Sequence, residues 1–305
     1  MTTYIFSHDQ VKWTNIVYPD SQDLQQLAIN YPRFHPLNLE DCKTELEFPK
    51  IDHHDEYLFL VFQFPVLNQN EKNYLPAEID IFIAKGIMVT SHRSQLQPLD
   101  ELFNKVRNDE KLRNDIMGHG ASPLLYHLLN DLIDYCYPIV QKVSHHVNQI
   151  EERLFHEHPR QILDEIAVVR RDVIALRHIL RPQMETIKAL EAGSWPFIHE
   201  ELDLYWSDLG DHLSQLCARL DENAEVISGL SETIDTLASH RIDEVVRLLT
   251  VVTVLTLPLT LLATIFGMNI VMPFSEHPLL FYGILLVGII LTILTIWYLR
   301  NHRWL

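Results

Sequence analysis

The sequence predicts an α+β fold in two regimes: an acidic region of about 240 residues, then a near-neutral region of two membrane-spanning helices. Three observations predict it. The first 110 residues alternate β-forming runs with short helical segments, a mixed α/β layer. From Ser122 onward apolar residues recur at helical spacing. Two uncharged apolar runs close the chain, Leu248–Phe266 (LLTVVTVLTLPLTLLATIF) and Leu279–Leu299 (LLFYGILLVGIILTILTIWYL), of 19 and 21 residues. A spanning helix needs about 20 such residues.

Residues 3–18 (TYIF, then VKWTNIVY) predict two strands. Asp20 or Ser21 caps a short helix through Asn30. Arg33–Cys42 (RFHPLNLEDC) predicts a turn and a short helix, and Tyr57–Val66 a strand. Ile79–Ala84 and Gly86–Thr90 predict a hairpin around Lys85-Gly86. Pro123 to about His156 is helical, with Leu125, Leu128, Leu129, Leu132, Ile133, Tyr137 and Val140 on its apolar face. Pro159 starts another helix toward Ala192, with a kink or break at Pro182. After a turn at Gly193–Pro196, a third helix starts near Glu200 and meets no proline until Pro258. Continuous to Phe266, it spans about 100 Å. Helices this long pack as bundles or coiled coils, so self-association is expected.

The chain carries a net charge of −17, of which residues 241–305 contribute +1 and residues 1–240 therefore −18. That acidity argues against nucleic acid as a partner, because its binding runs on Lys and Arg; it suits attraction of cations, or simply solubility. Cys42, Cys136 and Cys217 form no CxxC pair, which predicts a reducing compartment. The N-terminal MTTYIFSHDQVKW has no basic-then-apolar pattern, so no signal peptide is expected. Arg241 and Arg247 precede the first run, Arg300 and Arg303 follow the second, and the loop between them, Ile270–Pro278, has neither Arg nor Lys. The positive-inside rule then puts the loop outside and both termini in the cytoplasm, in a multi-pass inner or plasma membrane protein.

Thr253, Thr256, Thr260 and Thr264 recur at steps of three, four and four in the first run, one hydroxyl stripe on a helix. A ring of copies puts those oxygens, with Asn269 at the outer end, around a water path. The alternative is that each threonine bonds its own helix backbone or a neighbouring helix. The second run has no such stripe and reads as lipid-facing.

Gly267-Met268-Asn269 ends the first of two C-terminal spans, and a basic tail, RNHRWL, follows the second. HPLNLED (His35–Asp41), YLFLVFQF, LLYHLLNDLIDYCY (Leu124–Tyr137), YWSDLGDHLSQL (Tyr205–Leu216) and SHRIDEVVRLLT followed by LPLT lie upstream. Together these resemble the CorA family of divalent-cation channels over nearly the whole chain. The resemblance implies a funnel-shaped homopentamer. Residues 1–120 would form a cytoplasmic α/β layer and 121–199 a cytoplasmic helical hairpin, together an α/β/α domain. Residues 200–247 would form a stalk helix and 248–269 the pore helix. Residues 270–278 would be the outer loop, 279–299 a peripheral second span and 300–305 a cytoplasmic tail. The cargo implied is Mg2+, with Co2+ and Ni2+, flowing passively and gated by intracellular Mg2+; no organic cofactor is implied.

The family's site roles fall on particular residues. Gly267, Met268 and Asn269 would form the ion-selecting outer mouth. Asp243, Val246, Leu249, Thr253, Leu257, Thr260 and Thr264 match the pore-facing register, with Val246 and Leu249 as a hydrophobic gate. Glu40 and Asp41 would face Asp208 of a neighbouring subunit as a regulatory Mg2+ site, where like charges repel until a cation bridges them. Two departures stand out. Asn130 lies where some relatives carry an aspartate, and the loop VMPFSEHP replaces the familiar MPEL, with Glu276 as its one acid. The His53-His54 and His145-His146 pairs show no clean zinc-ligand spacing. The alternatives are a ZntB-like Zn2+ transporter and a non-transporting membrane metal sensor or scaffold. No enzyme is expected: nucleophile-elbow, P-loop, HExxH and GxGxxG patterns are absent.

Overall fold

The computed structural model describes residues 2–43, 46–93, 96–154, 156, 159–193, 195, 198, 203–268 and 278–301. Two compact units divide it, Met1–Ser231 and Glu232–Leu305.

The first unit is built on a six-stranded sheet, β1 (Thr2–His8), β2 (Val11–Val17), β3 (Lys50–His54), β4 (Tyr57–Asn68), β5 (Asn73–Ala84) and β6 (Ile87–His92). Its spatial order is β1-β2-β6-β5-β4-β3. β2 and β6 run parallel; every other neighbouring pair is antiparallel. Residues Tyr57–Phe62 are all 1% exposed or less. A strand buried on both faces shows a continuous apolar run rather than alternation, which is what YLFLVF displays. The helices explain the double burial. Tyr57, Phe59, Val61, Phe82, Ala84 and Val89 form one cluster with Leu24, Leu27, Tyr31, Phe34 and Leu39 from α1 (Ser21–Asn30), α2 (Pro36–Asp41) and the turn between them. The alternate residues Leu58, Leu60, Ile81 and Ile83 point the other way by the pleat, where α5 (Ala121–Arg153) and α6 (Pro159–Leu180) pack on β4 and β5. The expected α/β/α layering is therefore present, with α3 (Gln97–Asn108) and α4 (Glu110–Met117) leading into α5.

Most local expectations hold for identifiable reasons. Asp20 accepts from the Gln22 and Asp23 amides and caps α1 with a reciprocal Asp23 bond. Gly86 adopts φ +70°, and a Cβ there would lie 2.3 Å from the Gln10 carbonyl oxygen, so only glycine fits this hairpin. α6 stops at Leu180 and α7 (Gln183–Ala192) begins after Pro182, whose ring nitrogen has no proton for the preceding turn. Gln183 holds the break against the sheet by donating to Gln63 O (2.8 Å) and Ile179 O (3.0 Å). Two differences appear. β4 and β5 pair over twelve residues each, longer than expected. β3 (KIDHH) escaped the sequence reading because its polar residues do not alternate, as suits an edge strand.

α8 (Asp203–Gly267) is one helix of 65 residues with Pro258 inside it. In the first unit Trp206, Leu209, Leu213, Leu216, Leu220, Asn223, Ile227 and Leu230 are buried along it, with Cys217 beside Leu216. Those steps of three and four repeat every 3.5 residues, a coiled-coil seam. α6 shows the same period at Ile162, Ile166, Val169, Val173, Leu176 and Leu180. Asn223 Nδ2 donates to Ser144 Oγ of α5 (2.8 Å), and Arg177 of α6 pairs with Asp221 (2.7 Å).

In the second unit, α8 continues with Val246, Leu249 and Leu257 each more than half exposed. Among the described residues one helix is long and apolar enough to cross a membrane, and it is α8, over its apolar end. α9 (Pro278–Asn301) adds the shorter apolar stretch Leu285–Tyr298. The two helices approach closely at Gly288, where a Cβ would lie 2.3 Å from Leu262 Cδ1.

Candidate functional site

The HPLNLED helix is seated by its own side chains. His35 caps α2 through Nδ1, accepting from the Leu37 amide, and Pro36 fits the first turn. Asn38, 3% exposed, is the pin. Its Oδ1 accepts from Tyr57 OH (2.8 Å) and lies 2.8 Å from His54 Nε2, while its Nδ2 donates to Asp52 Oδ2 (2.8 Å). Tyr57 OH in turn accepts from the His35 amide (2.7 Å). Phe34 stacks on Phe82 at 4.5 Å. This seat turns Leu39 and Cys42 inward and leaves Glu40 exposed.

Asp41 is not a free carboxylate. Lys50 Nζ sits 2.8 Å from Asp41 Oδ2 and 3.4 Å from Asp52 Oδ2. Burial opposes the charge on Lys50, but Asp41 and Asp52 outweigh it and hold the ammonium above its ordinary range. Asp208 lies on α8 with its side chain 53% exposed, 3.8 Å from His212 Nε2. Asn130 Nδ2 donates to Asp134 Oδ2 (3.0 Å), and burial raises the neighbouring Asp131. Among the described residues, no group of three or more His, Cys, Asp or Glu side chains is placed to hold a metal ion within one chain. Glu40, Asp41 and Asp208 are thus not brought together as a cluster by a single subunit, nor are the His53-His54 and His145-His146 pairs.

The second group lies along α8. Asp243, Val246, Leu249, Thr253, Leu257, Thr260, Thr264 and Gly267 are all exposed, at successive steps of three or four. The threonines bond their own helix: Thr253 to Leu249 O (2.8 Å), Thr256 to Val252 O (2.9 Å), Thr260 to Thr256 O (2.8 Å) and Thr264 to Thr260 O. This was the alternative to the pore reading, yet the two are compatible. A hydroxyl has one proton and two lone pairs, so a donated proton leaves an oxygen that only accepts. Gly267 ends α8 and Met268 follows, 53% exposed. Asn269 and Glu276 lie outside the described residues.

Sequence reasoning missed a cavity of about 350 Å3 beside the C-terminal end of α2, lined by Cys42, Glu78, Asp80, Ser91 and Arg93. Glu78 and Asp80, two apart on β5, share a face. Burial raises both, Asp80 well above the carboxylate range and Glu78 to about 7. Folding therefore favours the protonated Glu78. The stability this gives is complete below the unfolded value near 4.5 and is lost as pH rises through about 7. The difference is at most about 3 kcal/mol, and less in practice because solvent screens a partly buried carboxylate. Glu78→Gln is expected to raise the melting temperature at pH 8 and leave it unchanged at pH 4; equal shifts at both pH values would remove protonation as the cause.

The chain matches the family profile described as "CorA-like Mg2+ transporter protein" over residues 8–301. Similar curated proteins include the cobalt/magnesium transport protein CorA of Thermotoga maritima, 24% identical over 96% of this chain and 83% of the relative. Another is the zinc transport protein ZntB of Pectobacterium carotovorum, 22% identical over 78% of this chain and 71% of the relative. Among solved structures, the CorA magnesium transporter of Methanocaldococcus jannaschii superposes with a TM-score of 0.81 at 17% identity, covering 98% of this chain and 93% of that one.

Proposed function

The chain belongs to the CorA-like Mg2+ transporter protein family, which makes it a membrane transporter of divalent metal cations, and on that premise we propose that it is a homopentameric channel for passive Mg2+ flux. Co2+ and Ni2+ are further cargo. Residues 1–199 form the cytoplasmic domain, 200–247 the stalk, 248–269 the pore helix and 279–299 a peripheral second span, with both termini cytoplasmic. Five copies of the α8 stripe surround the path. Asn269 and the Gly267 carbonyl hold the hydrated ion at the outer mouth, beside Met268, and Glu276 in the loop draws cations in. Val246 and Leu249 close the path by dewetting, and Asp243 collects cations at the inner end.

The strongest support is the exposed threonine stripe with its hydroxyl protons already donated. Mg2+ sheds water reluctantly. Its bound waters point their hydrogens outward and need acceptors, and an acceptor-only stripe supplies them. Regulation follows from Glu40, Asp41 and a neighbour's Asp208. These carboxylates repel unless Mg2+ bridges them, so a filled site holds the ring shut and its loss opens the gate.

The test is Mg2+ uptake by purified protein in liposomes with cytoplasmic-side Mg2+ varied. Flux should fall as that Mg2+ rises, and Asp208→Asn should flatten the response. Flux indifferent to cytoplasmic Mg2+ removes the regulatory site. The zinc transport relative favours one second reading, a Zn2+ carrier. Proton-coupled Zn2+ flux without Mg2+ flux would establish it, and no flux at all would favour a metal sensor. The intact Gly267-Met268-Asn269 triplet argues for Mg2+.

A further inference from the structure

A cation already sits at the sensor. Lys50 Nζ lies 2.8 Å from Asp41 Oδ2 and 3.4 Å from Asp52 Oδ2, with both carboxylates only partly exposed. Its placement is constrained from three sides. β3 fixes the backbone by pairing Lys50 with Val61 of β4. The ammonium lies 5.8 Å over the Phe59 ring. Asp52 is itself held by Asn38 Nδ2 at 2.8 Å. Glu40, the adjacent acid, is exposed and has no ion pair among the described residues.

We propose that Lys50 is a tethered competitor for the regulatory divalent ion: its ammonium neutralises Asp41 when the site is empty, so Lys50 sets the Mg2+ concentration at which the site fills. The proposal rests on Glu40, Asp41 and Asp208 being that site. Two effects act in the same direction. Mg2+ must displace a direct, partly buried ion pair to reach Asp41. The retained positive charge then repels a doubly charged ion a few ångströms away. The site therefore answers only to abundant Mg2+, while the exposed Glu40 offers a carboxylate that needs no such displacement. A tethered ammonium also lets an empty site exist without two naked carboxylates side by side, because Asp41 and Asp52 share one counter-ion.

Full-length protein in lipid nanodiscs provides the test, with thermal stabilisation followed against Mg2+ and half-inhibition of liposome flux as a second readout. Lys50→Met keeps the stem over Phe59 and removes the charge; it should lower the Mg2+ midpoint roughly tenfold. Lys50→Arg should stay near the wild-type midpoint. Lys50→Gln, which retains a donor for Asp41, should shift in the same direction as methionine and serves if Lys50→Met folds poorly. A midpoint unchanged or raised in both neutral variants overturns the proposal and makes Lys50 a structural pin. Asp208→Asn separates the two levels. If it abolishes the Mg2+ response while the neutral Lys50 variants leave the wild-type midpoint in place, the competitor alone fails. If it leaves the response intact, the regulatory site fails and the competitor with it.

Discussion

Asn269→Ala should reduce Mg2+ uptake into liposomes by roughly a hundredfold or more. Three amide contacts of the proposed ring, each worth about 1 kcal/mol to the hydrated ion, amount to that factor. Alanine supplies no acceptor oxygen, and in the proposed pentamer the substitution removes the whole ring at once. The variant should keep its helix content and its oligomer size, because the substitution falls beyond Gly267, where α8 ends. Circular dichroism and light scattering check that, and dye-reported uptake checks the flux. Uptake at the wild-type rate would move the outer mouth elsewhere. A partial loss with Co2+ retained would instead place Asn269 in ion choice rather than in entry.

Phe82→Ala should cost about 3–5 kcal/mol of stability. Phe82 is fully buried and stacks on Phe34 at 4.5 Å, with Phe59 at 4.7 Å and Tyr57 at 6.0 Å. Phe34 is the last aromatic before α2, so the cavity opens under the helix that carries Glu40 and Asp41. Denaturant unfolding of the solubilised protein should show the loss. A second signature follows from the position: the Mg2+ midpoint of the proposed sensor should rise, because Glu40 and Asp41 lose their platform. A loss no larger than that of an exposed substitution such as Tyr18→Ala would mean the cluster repacks around the gap.

How far the sequence reveals this fold depends on whether the signal is local. The Asp20 cap, the Gly86 hairpin and the break at Pro182 are each set by one residue and its neighbours, and each is legible. The apolar end of α8 is legible because nineteen uncharged residues admit few other fates. β3 is not, because KIDHH becomes a strand only through its partner β4. The Lys50–Asp41 pair fails for the same reason: nine residues separate them, and the edge strand must exist before they can meet. The coiled-coil seam lies between. Trp206, Leu209, Leu213, Leu216 and Leu220 display a 3.5-residue repeat in plain view, but its burial depends on α5 and α6. The regulatory carboxylates are the hardest case. The chemistry of Glu40 and Asp41 is readable in HPLNLED, and the proposed site with Asp208 would draw its geometry from two copies of the chain.

The self-bonded threonines bear on which sign of charge this segment admits. Each hydroxyl proton of Thr253, Thr256, Thr260 and Thr264 is committed to a carbonyl of its own helix. A chloride ion crossing such a surface needs hydrogen-bond donors and meets only lone pairs. If the Thr253–Thr264 stripe lines the proposed path, that uncharged stretch disfavours anions through the direction of its hydroxyls. Thr260→Val would thin that acceptor row while keeping its shape, whereas a lysine there would reverse its polarity.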